Sequence, residues 1–414
     1  MKKLLHALRL MGPGLLFAGA AIGVSHLVQS TRAGADFGWE LLWVVVAANL
    51  FKYPFFEYGS RYAMATGESL LEGYRKQGLW VLVFFLAVTL LTVFTIQATV
   101  TTVTAGIAQN LLPIGDSPIW WSAIILGICT LLLVVGRYSL LDKAMKGIVV
   151  LLSIATIATL TIALAKTNNA PRVAMPPFDW DNSSHLVFLI AFMGWMPAPI
   201  DLSVWHSIWS LEKRKQQPDF TAKVGLRDFN VGYLGTAILA MAFVGLGAVT
   251  IYGTGQTLPH SAAGFPNALI DVYAQMLGPL ARWGIAIAAF TTMFSTTLTC
   301  YDAIPRTLSK TTLILTKQTS SSKEQQYYWL IMGVLFVGAL LLISAFSSSM
   351  MSLILLATVL SFLTAPFFAI ANFQLVTGKW MPEHAKPGFA LRVLSWLGIV
   401  FLLGFCLVYA GLLF

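Results

Sequence analysis

Eleven long apolar runs divide this sequence, and each is about as long as a helix that crosses a lipid bilayer. A membrane-spanning α-helix needs about 20 predominantly apolar residues. The runs cover 11–34, 39–63, 79–110, 118–136, 147–166, 185–208, 229–252, 281–303, 327–345, 350–375 and 390–413. Charged residues make up only 10% of the chain, whereas a soluble domain averages about 25%. We therefore predict an all-α polytopic membrane protein with 11 transmembrane helices.

The distribution of positive charge predicts the orientation of the chain in the membrane. With a cytoplasmic N-terminus, 21 of the 26 lysines and arginines fall in cytoplasmic segments and four in external ones. Cytoplasmic loops of membrane proteins carry such an excess of Lys and Arg. We expect a multi-pass protein of the cell (inner) membrane whose N-terminus is cytoplasmic and whose C-terminus, after 11 spans, is external. The net charge of +9 then reflects topology, and no nucleic-acid partner is expected.

An enzyme is not expected from this sequence. It contains no HExxH, GxSxG or P-loop motif, and these are the short patterns that mark common catalytic sites. The cysteines Cys129, Cys300 and Cys406 lie far apart inside apolar runs, without the spacing of a metal site. We predict that they are buried small hydrophobic residues, and we expect no cofactor.

Two of the predicted spans contain residues that weaken or break a helix. The first contains Gly19 and Gly23 around AAIGVSH, and the sixth contains Gly194, Pro197 and Pro199 in GWMPAP. These spans begin two successive five-helix halves. Matching breaks in corresponding helices indicate an inverted-repeat transporter whose site lies at the breaks. The alternative explanation is the general abundance of Gly and Pro in membrane helices.

The predicted spans divide the chain into two repeats. We expect helices 1–5 in residues 1–166, an external loop at 167–184, helices 6–10 in 185–375, and a cytoplasmic loop with helix 11 in 376–414. The segments after spans five and seven are expected to be short external caps. The composition of TLILTKQTSSSKEQQ, between spans eight and nine, predicts a mobile linker.

Several segments of the chain resemble the Nramp (SLC11-type) family of divalent metal transporters. They are GPGLLFAGAAIGVSHLVQSTRAGADFG, ANLFKYPFFEYGSRYAMATGESLLEGY, the pair HS after the broken sixth span, AAFTTMFSTTLTCYDAIPRTL and VLSFLTAPFFAIANFQLV. The resemblance covers most of the chain. It implies the LeuT fold, in which two inverted five-helix repeats with unwound helices 1 and 6, followed by an eleventh helix, work by alternating access.

The metal-binding motifs of that family are altered here. Where family members carry Asp-Pro-Gly-Asn in helix 1, this sequence reads Gly23, Val24, Ser25 and His26. The family's Met-Pro-His of helix 6 falls either on Pro199–Asp201 or on Met196–Ala198. The resemblance therefore implies a divergent member whose site disfavours manganese and iron.

The family's proton route is also altered. Two acids of helix 3 that assist proton movement in family members correspond here to Ala98 and Thr101. We therefore expect no proton symport by the family's route. The candidates for residual proton or gating roles are His206, which matches a family histidine, and the intramembrane acids Glu57 and Asp302. Glu57 and Asp302 each have an arginine four residues later, so structural ion pairs are the alternative.

His26 and Asp201 are the central candidates for substrate binding, because each lies just beyond a helix break and charged groups in membrane helices are functional candidates by default. Together they could hold a divalent metal ion or titrate as one unit. The full predicted site comprises Gly23, Ser25, His26, Met196, Pro199, Asp201 and Thr358. A structural hydrogen-bonded pair is the alternative interpretation.

Three functions remain open at this point. The first is transport of a small inorganic solute, favoured as a divalent cation, by a protein that we expect to be monomeric. The second is transport of a small anion or carboxylate held at half-helix N-termini by His26 and Ser25, because those helix ends carry partial positive charge. The third is a membrane scaffold without transport activity.

Overall fold

The computed structural model describes residues 12–112, 114–115, 117–135, 138–166, 173–259, 264–278, 281–346 and 350–412. In these ranges the chain is a bundle of helices. They are α1 Pro13–Ala21, α2 Ser25–Phe37, α3 Leu42–Thr66, α4 Leu70–Gln77, α5 Leu79–Leu111, α6 Pro118–Val135, α7 Tyr138–Lys166, α8 Ser183–Gly194, α9 Leu202–Gln216, α10 Ala222–Thr250, α11 Gly264–Leu277, α12 Ala281–Thr316, α13 Ser321–Ala345, α14 Met350–Thr377 and α15 Phe389–Gly411.

The predicted membrane spans correspond to these helices. Within the described residues, seven helices are long and apolar enough to cross a membrane, and the bent pair α1–α2 makes an eighth span. The remaining predicted spans are α3, which carries Lys52, Glu57 and Arg61, α7, and the broken pair α8–α9. The all-helical membrane architecture predicted from the sequence is confirmed.

Both predicted helix breaks are present. The axes of α1 and α2 differ by 50° across a break at residues 22–24, and α2 begins with a π-helical turn at Ser25–Ser30. The chain between α8 and α9 is non-helical over residues 195–201, because Pro197 and Pro199 supply no backbone N–H for a helical hydrogen bond.

Small residues allow α1 and α2 to lie directly against α10. A Cβ atom on Gly232 would overlap the carbonyl oxygen of Gly14, and one on Gly34 would overlap the carbonyl oxygen of Val244. Close backbone approach at small residues is a common way for membrane helices to associate. The beginning of α1 is held by Asp228, whose carboxylate accepts hydrogen bonds from the backbone N–H groups of Gly12 and Gly14 at 3.1 and 2.7 Å.

Two of the expected loops contain more helix than the sequence analysis predicted. The segment after the seventh span includes α11, a 14-residue helix that buries an apolar face including Phe265, Leu269 and Tyr273. This helix is amphipathic and too short for a search based on 20-residue apolar runs. The predicted linker between spans eight and nine is reduced to residues 317–320, because α12 continues to Thr316 and α13 begins at Ser321.

The two external segments predicted after spans five and seven contact each other. The backbone N–H of Val173 donates a hydrogen bond of 2.8 Å to the carbonyl oxygen of Gly253. Residues 167–172 of the predicted external loop, and the basic residues before position 12, lie outside the described residues.

Candidate substrate site between the broken helices

A small cavity of about 30 Å³ lies where the two helix breaks face each other. A buried space needs about 10–15 Å³ to hold one water molecule, so this one has room for an ion or a water molecule or two. The polar and aromatic side chains that line it are Ser25, Trp195, Asp201, Trp205, Thr296 and Cys300. Asp201 is the one formally charged side chain among the described residues that line the cavity.

The first break is held open by a residue of α12. The hydroxyl of Thr296 lies 2.8 Å from the carbonyl oxygen of Gly19 and 3.1 Å from that of Ile22, so its one proton is shared between them. Gly23 lies against this side chain, since a Cβ atom at position 23 would be 2.9 Å from a carbon of Thr296. The Ser25 hydroxyl, which lines the cavity, is 3.1 Å from the carbonyl oxygen of Ala21. The last carbonyls of α1 therefore find partners although the helix stops.

Asp201 faces the cavity from the second break. It is the N-cap residue of α9, and its side chain makes no capping hydrogen bond. Only 8% of the residue is exposed to solvent. Pro199 lines the same cavity, two residues earlier. The carboxylate interacts with the backbone N–H groups of Asp201 and Leu202, and the residue lines the cavity between the half-helices.

The end of α8 holds a charged residue from another helix. The ammonium Nζ of Lys52, in α3, donates to the carbonyl oxygens of Met193 and Gly194 at 2.5 and 3.0 Å. The indole N–H of Trp195 donates to the hydroxyl of Ser361 in α14 at 2.9 Å. The second break, like the first, is thus stabilised by side chains of neighbouring helices.

His26 is placed differently from Asp201. It is fully buried and does not belong to the cavity lining. Its Nε2 lies 3.1 Å from the carbonyl oxygen of Thr236 in α10, and its Nδ1 lies 2.8 Å from the Ser25 hydroxyl. Because a carbonyl oxygen only accepts, Nε2 carries a proton in this arrangement. The structure therefore brings Ser25, Pro199 and Asp201 to one cavity but directs His26 towards α10.

Met196 and Thr358 also lie outside the cavity lining. Met196 is fully buried beside the end of α8. The hydroxyl of Thr358 donates to the carbonyl oxygen of Ile354 at 2.7 Å within its own helix. The backbone of Thr358 packs so tightly on Gly194 that a Cβ atom at position 194 would overlap its carbonyl oxygen. In this structure Thr358 supports the second break.

The candidates for proton or gating roles are separate from the cavity. His206 is fully buried, with its ring 6.0 Å from that of Phe17 and 5.2 Å from that of Phe229. The carboxylate of Glu57 forms an ion pair of 2.7 Å with Arg61. Asp302 pairs with Arg306 at 2.7 Å and accepts a hydrogen bond of 2.6 Å from the hydroxyl of Tyr328.

Several residues at the two breaks are not among the predicted site residues. They are Lys52, Trp195, Trp205, Thr296 and Cys300. For Lys52 the signal was present, because a charge inside an apolar run is unusual in a membrane helix. The others are ordinary residues of apolar spans, and only the packing of the helices shows that they face the cavity. Among the described residues, no group of three or more His, Cys, Asp or Glu side chains is placed to hold a metal ion.

Two discontinuous helices that meet at a buried cavity are typical of transporters of the LeuT fold. The model of the Nramp family, described as natural resistance-associated macrophage protein-like, matches residues 14–410 of this chain. The chain belongs to the Nramp family, whose members are transporters.

The chain is also similar to a curated protein and, in fold, to solved transporter structures. Uncharacterized protein PM0681 of Pasteurella multocida is 38% identical over 404 residues, which cover 96% of this chain and 91% of that protein. A crystal structure of the manganese transporter of Eremococcus coleocola aligns with a TM-score of 0.69 at 16% identity, over 98% of this chain and 87% of that one. MhsT in complex with L-phenylalanine aligns with a TM-score of 0.63 at 14% identity, over 97% of both chains. The predicted fold is confirmed.

Proposed function

We propose that this protein moves a small inorganic cation, favoured as divalent, across the cell (inner) membrane by alternating access, with the carboxylate of Asp201 as its charged ligand. The observation that carries the proposal is the position of Asp201, which faces a buried cavity between the two helix breaks without a capping partner. A carboxylate buried from water without a positive ligand is unfavourable, so a cation in the cavity would be stabilised there.

The membership of the Nramp family supports a metal ion as the substrate, as does the structural similarity to a manganese transporter. The donor atoms around the cavity are mostly oxygen. Ser25, Asp201 and Thr296 offer oxygen atoms, and Cys300 offers a thiol, whereas no imidazole or thioether lines the cavity. Oxygen ligands suit magnesium, calcium and manganese alike, and only a thioether or imidazole would favour the softer ions over magnesium. We therefore propose that manganese and iron are not preferred over harder divalent cations.

Proton symport by the family's route is not part of the proposal. The buried face of α5 carries Gln97, Ala98, Thr101 and Thr104, none of which is ionisable at physiological pH. The hydroxyl of Thr104 is 2.7 Å from that of Thr297 in α12. This neutral, hydrogen-bonded surface supports a transport cycle without the family's proton route.

The anion alternative receives less support from the cavity. Asp201 occupies the N-terminal end of α9, which is the helix end that would otherwise attract an anion. His26, the proposed anion donor, has both ring nitrogens in contact with protein atoms.

The test is uptake into proteoliposomes from a panel of radiolabelled or dye-reported ions. We expect saturable uptake of a divalent cation by the wild type, near-complete loss with Asp201→Asn, and normal uptake with Asp181→Asn, a control on an exposed segment. Uptake of an anion that persists with Asp201→Asn would establish the anion alternative. The absence of flux for every ion tested would favour a scaffold.

A further inference from the structure

Lys52 is a fully buried cation at the second helix break. Its exposed fraction is 0%, although it lies in the middle of α3, between Leu42 and Thr66. An intramembrane lysine near a helix end can usually extend to the interface, but Lys52 instead directs its ammonium inward. Such placement is costly in a membrane, so the surrounding groups must compensate for the charge.

The compensating groups are two backbone carbonyls at the end of α8. The carbonyl oxygens of Met193 and Gly194 belong to the last turn of that helix, where regular helical hydrogen bonds end; the Met193 carbonyl also accepts a weak hydrogen bond of 3.3 Å from the backbone N–H of Met196. Both accept hydrogen bonds from Nζ of Lys52, at 2.5 and 3.0 Å. The C-terminal end of a helix also carries a partial negative charge. The ammonium therefore sits where a helix end most favours a cation.

Asp201 attracts the same ammonium from the other side of the break. The two residues do not form an ion pair within the described part of the chain, so the carboxylate remains directed to the cavity. Lys52 thus contacts the residues just before the non-helical segment 195–201, and Asp201 is the last residue of that segment. The position of α8 is itself constrained, because Gly194 packs against the backbone of Thr358.

In transporters with broken helices, unwound carbonyls and half-helix C-terminal ends bind coupling cations. We propose that the ammonium of Lys52 is a tethered cation that fills such a monovalent-cation site at the end of α8, so that substrate transport needs no co-transported alkali ion. The statement about co-transport rests on the proposed function. Whether Lys52 occupies a cation site can be tested without substrate.

The alternative role for Lys52 is a hydrogen-bond donor that only holds the break together. The two roles differ when the side chain is shortened. Lys52→Ala removes the charge and leaves space beside the carbonyls of Met193 and Gly194, which a free sodium or ammonium ion can then enter. Lys52→Met removes the charge but fills most of the space. If Lys52 is a tethered cation, added cations should stabilise only the alanine variant.

The experiment compares wild type, Lys52→Ala, Lys52→Met and the exposed control Lys215→Ala, each purified in detergent and reconstituted in liposomes. Thermal unfolding is measured in sodium chloride, ammonium chloride or choline chloride at equal ionic strength, without substrate. We expect sodium or ammonium to stabilise Lys52→Ala and to leave the other three proteins unchanged. In liposomes, uptake by Lys52→Ala is expected to depend on sodium or ammonium by about 5-fold to 150-fold, the usual range of coupling between two sites.

Each outcome decides the inference. The inference would be overturned if Lys52→Ala unfolded at the same temperature in all three salts. It would also be overturned if sodium or ammonium stabilised Lys52→Met as much as Lys52→Ala. If Lys52→Ala does not fold, the wild type alone still tests the claim, because substrate uptake that requires sodium would contradict a site already filled by Lys52. If the wild type moves no cation, the proposed function fails, whereas sodium-specific stabilisation of Lys52→Ala would still support the tethered cation.

Discussion

The hydroxyl of Thr296 donates a hydrogen bond of 2.8 Å to the carbonyl oxygen of Gly19, in the last turn of α1. The same hydroxyl reaches the carbonyl oxygen of Ile22 at 3.1 Å. A single side chain of α12 therefore provides partners for two carbonyls that the broken helix leaves free. The first break is therefore stabilised by the contact between α1 and α12 as well as by the residues of the break itself.

Replacing this hydroxyl should weaken the first break. We expect Thr296→Val to lower the free energy of unfolding by about 1–3 kcal/mol, the cost of leaving buried carbonyls without partners. Thr292→Val is the matched control, because the Thr292 hydroxyl donates to Ala288 within its own helix at 2.8 Å. Thermal unfolding monitored by size-exclusion chromatography in detergent measures the difference. An equal loss for both variants would contradict the role given to Thr296.

The packing of α1 on α10 makes a second prediction. A methyl group at position 232 would overlap the carbonyl oxygen of Gly14, whereas one at position 235 meets nothing within 4 Å. We expect Gly232→Ala to destabilise the protein by about 1–3 kcal/mol through overpacking. Gly235→Ala, on the same helix, should be neutral in the same unfolding assay. Tolerance of Gly232→Ala would show that α1 can move away from α10 at little cost.

A third prediction distinguishes a structural role for His26 from a ligand role for Asp201. His26 connects α2 to the carbonyl oxygen of Thr236 in α10, so we expect His26→Leu to lower stability by about 1–3 kcal/mol. Its affinity for the substrate cation should change little, because the side chain does not line the cavity. Isothermal titration of the purified variant provides the affinity. Complete loss of binding with unchanged stability would instead support a His26–Asp201 ligand pair.

Cation uptake should proceed without proton influx by the family's usual route, because the buried residues Gln97, Ala98 and Thr101 of α5 are not ionisable. A pH-sensitive dye inside the liposomes reports proton movement during uptake. We expect no acidification beyond that seen in liposomes without protein. Acidification in proportion to uptake would require a proton path through other residues, of which His206 would be the first to replace.

The sequence predicted the helices and both breaks because these depend on local properties. Apolar runs of sufficient length specify the spans, and Gly23, Pro197 and Pro199 mark the interruptions. The short amphipathic helix α11 was not predicted, since its 14 residues contain too few apolar side chains for a membrane span.

The candidate site was predicted less completely, because it depends on contacts between distant segments. Asp201 could be identified as a charge beside a broken helix. The contact of His26 with Thr236, and that of Lys52 with Gly194, join residues that are 210 and 142 positions apart. The periodicity of a single span does not show which of its buried side chains faces a cavity and which faces another helix.

Calorimetric titration of wild type and Asp201→Asn tests the central claim most directly. Magnesium, manganese, sodium and a small carboxylate such as formate would each be titrated into the purified proteins. The account predicts that the wild type binds a divalent cation, with manganese not preferred, and that Asp201→Asn weakens this binding at least about tenfold, or ~1.4 kcal/mol. Tight binding of manganese that survives Asp201→Asn, or binding of formate that the substitution strengthens, would contradict it.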